Sequence, residues 1–124
     1  MAQAYEEEKQ QKFVDSAWRA IHAAWICDDK NNLESSVRCR KQAITLIEKA
    51  NSQGQKIADQ AGASEAITID LMRRSGMYRE ALELSAATKV LEIEEVIKQV
   101  IQYEEELIAK EDIASHTISE ALGE

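Results

Sequence analysis

The sequence predicts an all-α fold: about five helices in irregular antiparallel hairpins, closed by a long C-terminal helix. Three observations predict it. The 124 residues include no proline and four glycines. Ala, Glu, Lys, Gln and Leu, which lose little side-chain freedom in a helix, dominate the composition. Apolar residues recur three and four apart along most of the chain. The length fits one domain, residues 1–124 with 1–12 expected to fray, and suffices to bury a core without disulfides or metals.

The first helix is expected from Glu6 to Cys27. Val14, Trp18, Ile21 and Trp25 make one apolar stripe, and Phe13, Ala17, Ala20, Ala24 and Cys27 make a second beside it. Both tryptophans are expected to be largely buried. Residues 28–32, Asp-Asp-Lys-Asn-Asn, break the pattern, because Asp and Asn compete for local backbone bonds and tolerate turns. A second helix, Leu33 to Asn51, has Leu33, Val37, Ile44 and Ile47 on one face and Ser36, Cys39, Ala43, Leu46 and Ala50 on the adjoining one. The stretch 51–55 weakens it and Gly62 marks a further stop; residues 55–61 fit either a short helix or a loop.

Ser64 is placed to cap a third helix, Glu65 to Ser75, and Gly76 to end it at positive φ. A fourth helix runs from Tyr78 to Lys89. The fifth, Glu92 to Lys110, turns Ile93, Val96, Ile97, Val100, Ile101, Leu107 and Ile108 inward and leaves Glu104, Glu105 and Glu106 as a solvated face. A short last helix starts at Asp112 or Thr117, and Thr117 with Glu120 has capping-box spacing.

The stretch Leu71–Leu84 reads as helix, tight glycine turn and return helix. Gly76, Tyr78 and Ala81 resemble the turn of a tetratricopeptide-type repeat, and Asn31, Leu33 and Ser36 form a degenerate copy. The copies lie 45 residues apart, against about 34 in that family, and its Trp, Leu-Gly and Pro positions are missing. The resemblance therefore implies two irregular hairpins rather than a regular superhelix. The chain is also similar to uncharacterised prokaryotic proteins in which such a segment follows an N-terminal zinc ribbon. That likeness lies in Ala24-Trp25, Cys27-Asp28-Asp29, Cys39-Arg40, Ala43 and Arg73-Arg74-Ser75-Gly76. It brings no assigned activity, and no Cys-x-x-Cys pair is present to form the ribbon.

Net charge is −8, spread as −3 over residues 1–29, +2 over 30–88 and −7 over 89–124. Repulsion from phosphates argues against nucleic acid and against an anionic membrane surface as partners. No segment has the length and hydropathy of a membrane span, and no signal peptide is evident. Two cysteines, Cys27 and Cys39, do not make a disulfide framework and are expected to act as small buried hydrophobes, which fits the cytoplasm.

Metal-ligand residue types occur in two groups, His22, Cys27, Asp28, Asp29 and Cys39, and then Asp112, His116 and Glu120. The first lacks the close pairs of zinc sites, and in the second capping accounts for Glu120. No metal or other cofactor is expected. Phosphate-binding glycine loops, nucleophile elbows and zinc-protease motifs are absent from the sequence, so an enzyme is not expected.

Basic residues gather at Arg38, Arg40 and Lys41 and at Arg73, Arg74 and Arg79. Salt bridges along the helices, such as Arg79 to Glu83, account for some. Arg38, Arg40, Lys41, Arg73 and Arg74 are the candidate lining of a basic groove for an acidic protein or peptide. The expected role is a scaffold or adaptor presenting a helix-lined groove. A metal- or ligand-binding helical bundle is the alternative, and a homodimer through the leftover stripe of the first helix is a further expectation.

Overall fold

The computed structural model describes residues 2–116 and 121–122, with the side chains of the first helix from Lys12 onward. Among the described residues it is all-α, with five helices: α1 (Ala2–Asp29), α2 (Leu33–Ser52), α3 (Ala63–Arg74), α4 (Tyr78–Lys89) and α5 (Glu95–Ala109). They form two compact units, residues 1–57 and 58–124, each described by itself.

In the first unit α1 and α2 form an antiparallel hairpin. Its turn is short because Asn31 accepts a left-handed φ of 57° and the Asn32 side chain caps α2 by accepting the Ser35 N–H at 3.2 Å. The buried face of α1 is Val14, Ala17, Ala20, Ile21 and Ala24; that of α2 is Ser36, Arg40, Ala43, Ile44, Ile47 and Ala50. Small residues meet across the pair, and Ser36 Oγ donates to the Ala24 carbonyl at 3.3 Å. The face is thus centred between the two stripes read from the sequence. Phe13, Trp18, Cys27, Val37, Cys39 and Leu46 are left half-buried at its margins, and Trp25 and Leu33 are exposed. The two cysteines are therefore not the fully buried residues expected. Residues 55–61 are irregular, not helical.

In the second unit α3, α4 and α5 pack on one another. Helix α3 begins at Ala63, two residues before the Glu65 start that a Ser64 cap would give. Gly62 holds the N-cap position at φ 85°, and Ser64 is buried inside the first turn. Gly76 lies at φ 77°, and the Met77 N–H donates to the Met72 carbonyl at 2.8 Å, closing α3 through a left-handed residue. A Cβ at Gly76 would meet nothing within 4 Å. Only backbone strain then opposes substitution, and Gly76→Val should cost roughly 1–2 kcal/mol. Urea titration checks this; a midpoint equal to that of the parent chain would contradict it.

The expected long closing helix is the 15-residue α5, shorter than α1 and α2. It starts at Glu95 because Glu94 is extended, at φ −65° and ψ 152°. Its buried side chains are Ile101, Glu104, Leu107 and Ile108, while Val96 is exposed. Residues 110–116 are not helical, so no helix starts at Asp112. The Thr117–Glu120 capping box lies outside the described residues.

Candidate functional site

Two places concentrate unusual chemistry, one in each unit. In the first unit it is the margin of α1. Trp18, His22 and Trp25 recur at four and three residues, so their rings climb one edge of the helix. The His22 ring centroid lies 6.0 Å from that of Trp18 and 5.1 Å from that of Trp25. Trp18 Nε1 donates to the Ile57 carbonyl at 3.2 Å, which ties the chain leaving α2 back onto α1. Trp25 has no comparable cover. It is 49 % exposed, its neighbour Ile26 is exposed as well, and Leu33, the first residue of α2, is 59 % exposed. The apolar residues left outside in this unit thus gather at the turn end of the hairpin.

The five basic residues expected to line a groove divide sharply. Arg38 and Lys41 are exposed on α2, with Arg38 Nη2 donating to Ser35 Oγ at 3.4 Å. Arg40 is 2 % exposed, and its Nη2 donates to both carboxylate oxygens of Asp28, at 2.6 and 2.7 Å. It joins α2 to the last turn of α1 and is withdrawn from the surface. In the second unit Arg74 is half-buried and Arg73 is 0 % exposed. Burying a guanidinium is costly unless it is paired, and both buried arginines pair with carboxylates of their own unit, Arg40 with Asp28 and Arg73 with Asp70 and Glu104. Arg79, by contrast, makes the expected exposed pair with Glu83, at 3.4 Å.

Arg73 is the hub of the second unit. Nε donates to Glu104 Oε2 at 2.6 Å and Nη2 to Asp70 Oδ1 at 2.8 Å. Nη1 donates to the carbonyls of Asp112 at 2.6 Å and Ala114 at 2.9 Å. Glu104 is therefore not part of a solvated face. It follows Ile101 by one turn on the core side of α5 and is 6 % exposed. Burial, with the hydrogen bond and charge of Asp70, pushes its carboxyl up to about 8 against the pull of Arg73.

Between the ordinary carboxylate range and about 8, the folded chain holds a proton that the unfolded chain has lost. The stability tied to this proton is complete at low pH and disappears as pH rises through that value. Stability should therefore fall by roughly 1–3 kcal/mol between about pH 5 and pH 9, and Glu104→Gln should flatten the fall. Urea midpoints of the two proteins across this range provide the check, since charge repulsion elsewhere is common to both.

Asp112 and His116, beyond α5, form a chain with Tyr103 of α5. His116 Nε2 lies 2.9 Å from Asp112 Oδ2, and the Tyr103 hydroxyl lies 3.4 Å from His116 Nδ1, the two rings meeting edge to face. The Ala114 N–H, at 2.7 Å, and then the His116 ring hold the Asp112 carboxyl below its ordinary range. Two of the three residues of the second metal-type group thus engage each other, and Glu120 lies outside the described residues. Among the described residues no three ligand-type side chains gather to hold an ion, and no helix is long and apolar enough to cross a membrane.

The chain matches no protein-family model, no curated protein and no solved structure.

Sequence periodicity alone placed Trp25 inside. Its position one turn before the end of α1, where α2 has only begun, was the available signal that cover would run out. The burial of Arg73 had a partial signal too: Glu104 falls between Ile101 and Leu107–Ile108 at core spacing, so a buried polar partner had to face it.

Proposed function

We propose that this chain is a tetratricopeptide-like protein-interaction module of the cytoplasm that binds a protein or peptide partner through the turn end of its α1–α2 hairpin. One observation carries the reading. Trp25, Ile26 and Leu33 are exposed together at that end, while the smaller apolar side chains between the helices are buried. Exposed aromatic and branched side chains gathered in one place favour contact with another macromolecule, and tryptophan contributes heavily to binding when covered. Arg38 and Lys41, exposed on the same hairpin, favour an acidic partner by steering its approach and setting its orientation. The half-buried free thiols of Cys27 and Cys39 suit a reducing compartment. The reading assigns the chain no catalytic step.

A display library of acidic peptides with apolar anchors, selected against the full chain, tests this. Selected peptides should bind Trp25→Ser/Leu33→Ser at least about tenfold more weakly, and Arg38→Glu/Lys41→Glu mainly with slower association. Equal affinity for the folded Trp25→Ser/Leu33→Ser variant would reject this surface. Peptides indifferent to the charge reversal would reject the acidic class.

A further inference from the structure

Four successive main-chain carbonyls, from Glu111 to Ala114, each accept a hydrogen bond from a side chain of α3 or α4. The Tyr78 hydroxyl donates to Glu111 O at 3.1 Å and Arg74 Nε to Ile113 O at 3.4 Å; Arg73 Nη1 serves Asp112 O and Ala114 O. This clamp reads backbone, so the same segment of any other copy of the chain satisfies it equally. The segment enters the clamp through a strained joint. Glu111 is a non-glycine at φ 52°, a conformation costing about 1 kcal/mol for an L-residue. There the Glu111 N–H donates to Ile108 O and the Asp112 N–H to Leu107 O, both at 2.9 Å, closing α5 where glycine is the usual residue.

If Glu111 relaxes to right-handed helical values, α5 continues past Lys110 and carries Asp112–His116 away from its own Arg73. The buried guanidinium then lacks its carbonyl acceptors, and leaving such donors unsatisfied is costly. A second copy in the same state supplies those acceptors reciprocally, which is the closed two-fold exchange open to identical chains.

We propose that segment 112–116 is an exchangeable arm hinged at Glu111: in a dimer, the Asp112, Ile113 and Ala114 carbonyls of each copy occupy the Arg73–Arg74 clamp of the other. His116 then meets the other copy's Tyr103 in place of its own. The proposal is independent of the surface at Trp25.

The experiment uses the full chain and two hinge variants. Glu111→Gly removes the strain of the closed arm, whereas Glu111→Ala keeps that strain and favours a continued helix. Sedimentation from roughly 10 to 500 μM should show Glu111→Ala dimerising at least about tenfold more tightly than Glu111→Gly, with the parent chain between them. In dimers mixed from isotope-labelled and unlabelled copies, the nuclear Overhauser contact between the Tyr103 and His116 rings should cross from one copy to the other. Two results overturn the proposal: equal association of the two variants over this range, or a dimer in which that ring contact stays within each copy.

Discussion

Arg73→Met is expected to destabilise the second unit by about 3–5 kcal/mol, the usual cost of removing one partner from a buried ionic cluster. The side chain that disappears is wholly buried and joins α3 to α5 and to the chain beyond it, through Glu104 and the Asp112 and Ala114 carbonyls. Methionine fills similar volume but leaves Glu104 beside Asp70 with no cation between them. Such a loss is a large part of the roughly 5–15 kcal/mol that holds a typical domain folded. Arg73→Lys should fall between the two, because an ammonium keeps the charge but cannot span the acceptors that a planar guanidinium reaches. Without the pull of Arg73 the Glu104 carboxyl keeps its proton to still higher pH, so adding Glu104→Gln to Arg73→Met should recover little of the loss below about pH 8. Urea unfolding of the four proteins decides it; a loss below about 1 kcal/mol for Arg73→Met would show that the cluster is incidental.

The elements that sequence reading placed well are those whose signals are local. The Ser75-Gly76-Met77 turn and the start of α4 at Tyr78 were legible because a positive φ after a helical run needs glycine and the next helix follows at once. The break after α1 was legible because Asp and Asn cluster there, and α1 runs two residues past the expected end at Cys27. Where partners come from elsewhere in the chain, the local signal misled. Ser64 has the chemistry of a cap, yet Gly62 takes that position because its backbone alone can turn the chain there beside α5. Arg40 and Arg73 read as surface charges because arginine is almost always solvated unless paired. Their carboxylates lie 12 and 31 residues away, and although the core spacing of Glu104 turns it inward, no periodicity tells which cation meets it.

The candidate interaction site was half legible for the same reason. Arg38 and Lys41 lie outside, as an amphipathic reading of α2 implies. Trp25 and Leu33 share helical spacing with core residues, but they sit where the hairpin ends, and a stripe read from sequence does not show how far its partner helix extends. The His22 contact with both tryptophans follows from spacing alone, since residues three and four apart on a helix are neighbours. The carbonyl clamp at Glu111–Ala114 left no trace in the sequence, because backbone acceptors are the same in every residue.

Gly62→Ala is expected to cost about 2–4 kcal/mol, more than the same change at Gly76, because two separate penalties coincide. The first is conformational: φ is 85°, and an L-residue pays roughly 1–2 kcal/mol there. The second is steric. A Cβ at this position would lie 2.8 Å from Ile93 Cγ2 and 3.0 Å from Ile97 Cγ2, closer than carbon atoms approach without a shift. These methyls belong to the chain entering α5 and to its first turn, so relief requires moving side chains that cover the start of α3. Overpacking of this kind typically costs about 1–3 kcal/mol. At Gly76 the added methyl meets open space, and the comparison separates strain from crowding. Ile93→Leu removes the β-branch that makes the closest approach, so Gly62→Ala should cost less in that background, leaving mainly the conformational part. Urea midpoints of the single and paired variants measure the coupling. If Gly62→Ala costs the same with Ile93 as with leucine there, and no more than Gly76→Ala, the close approach of residues 93–97 to the start of α3 is not what fixes glycine at this position.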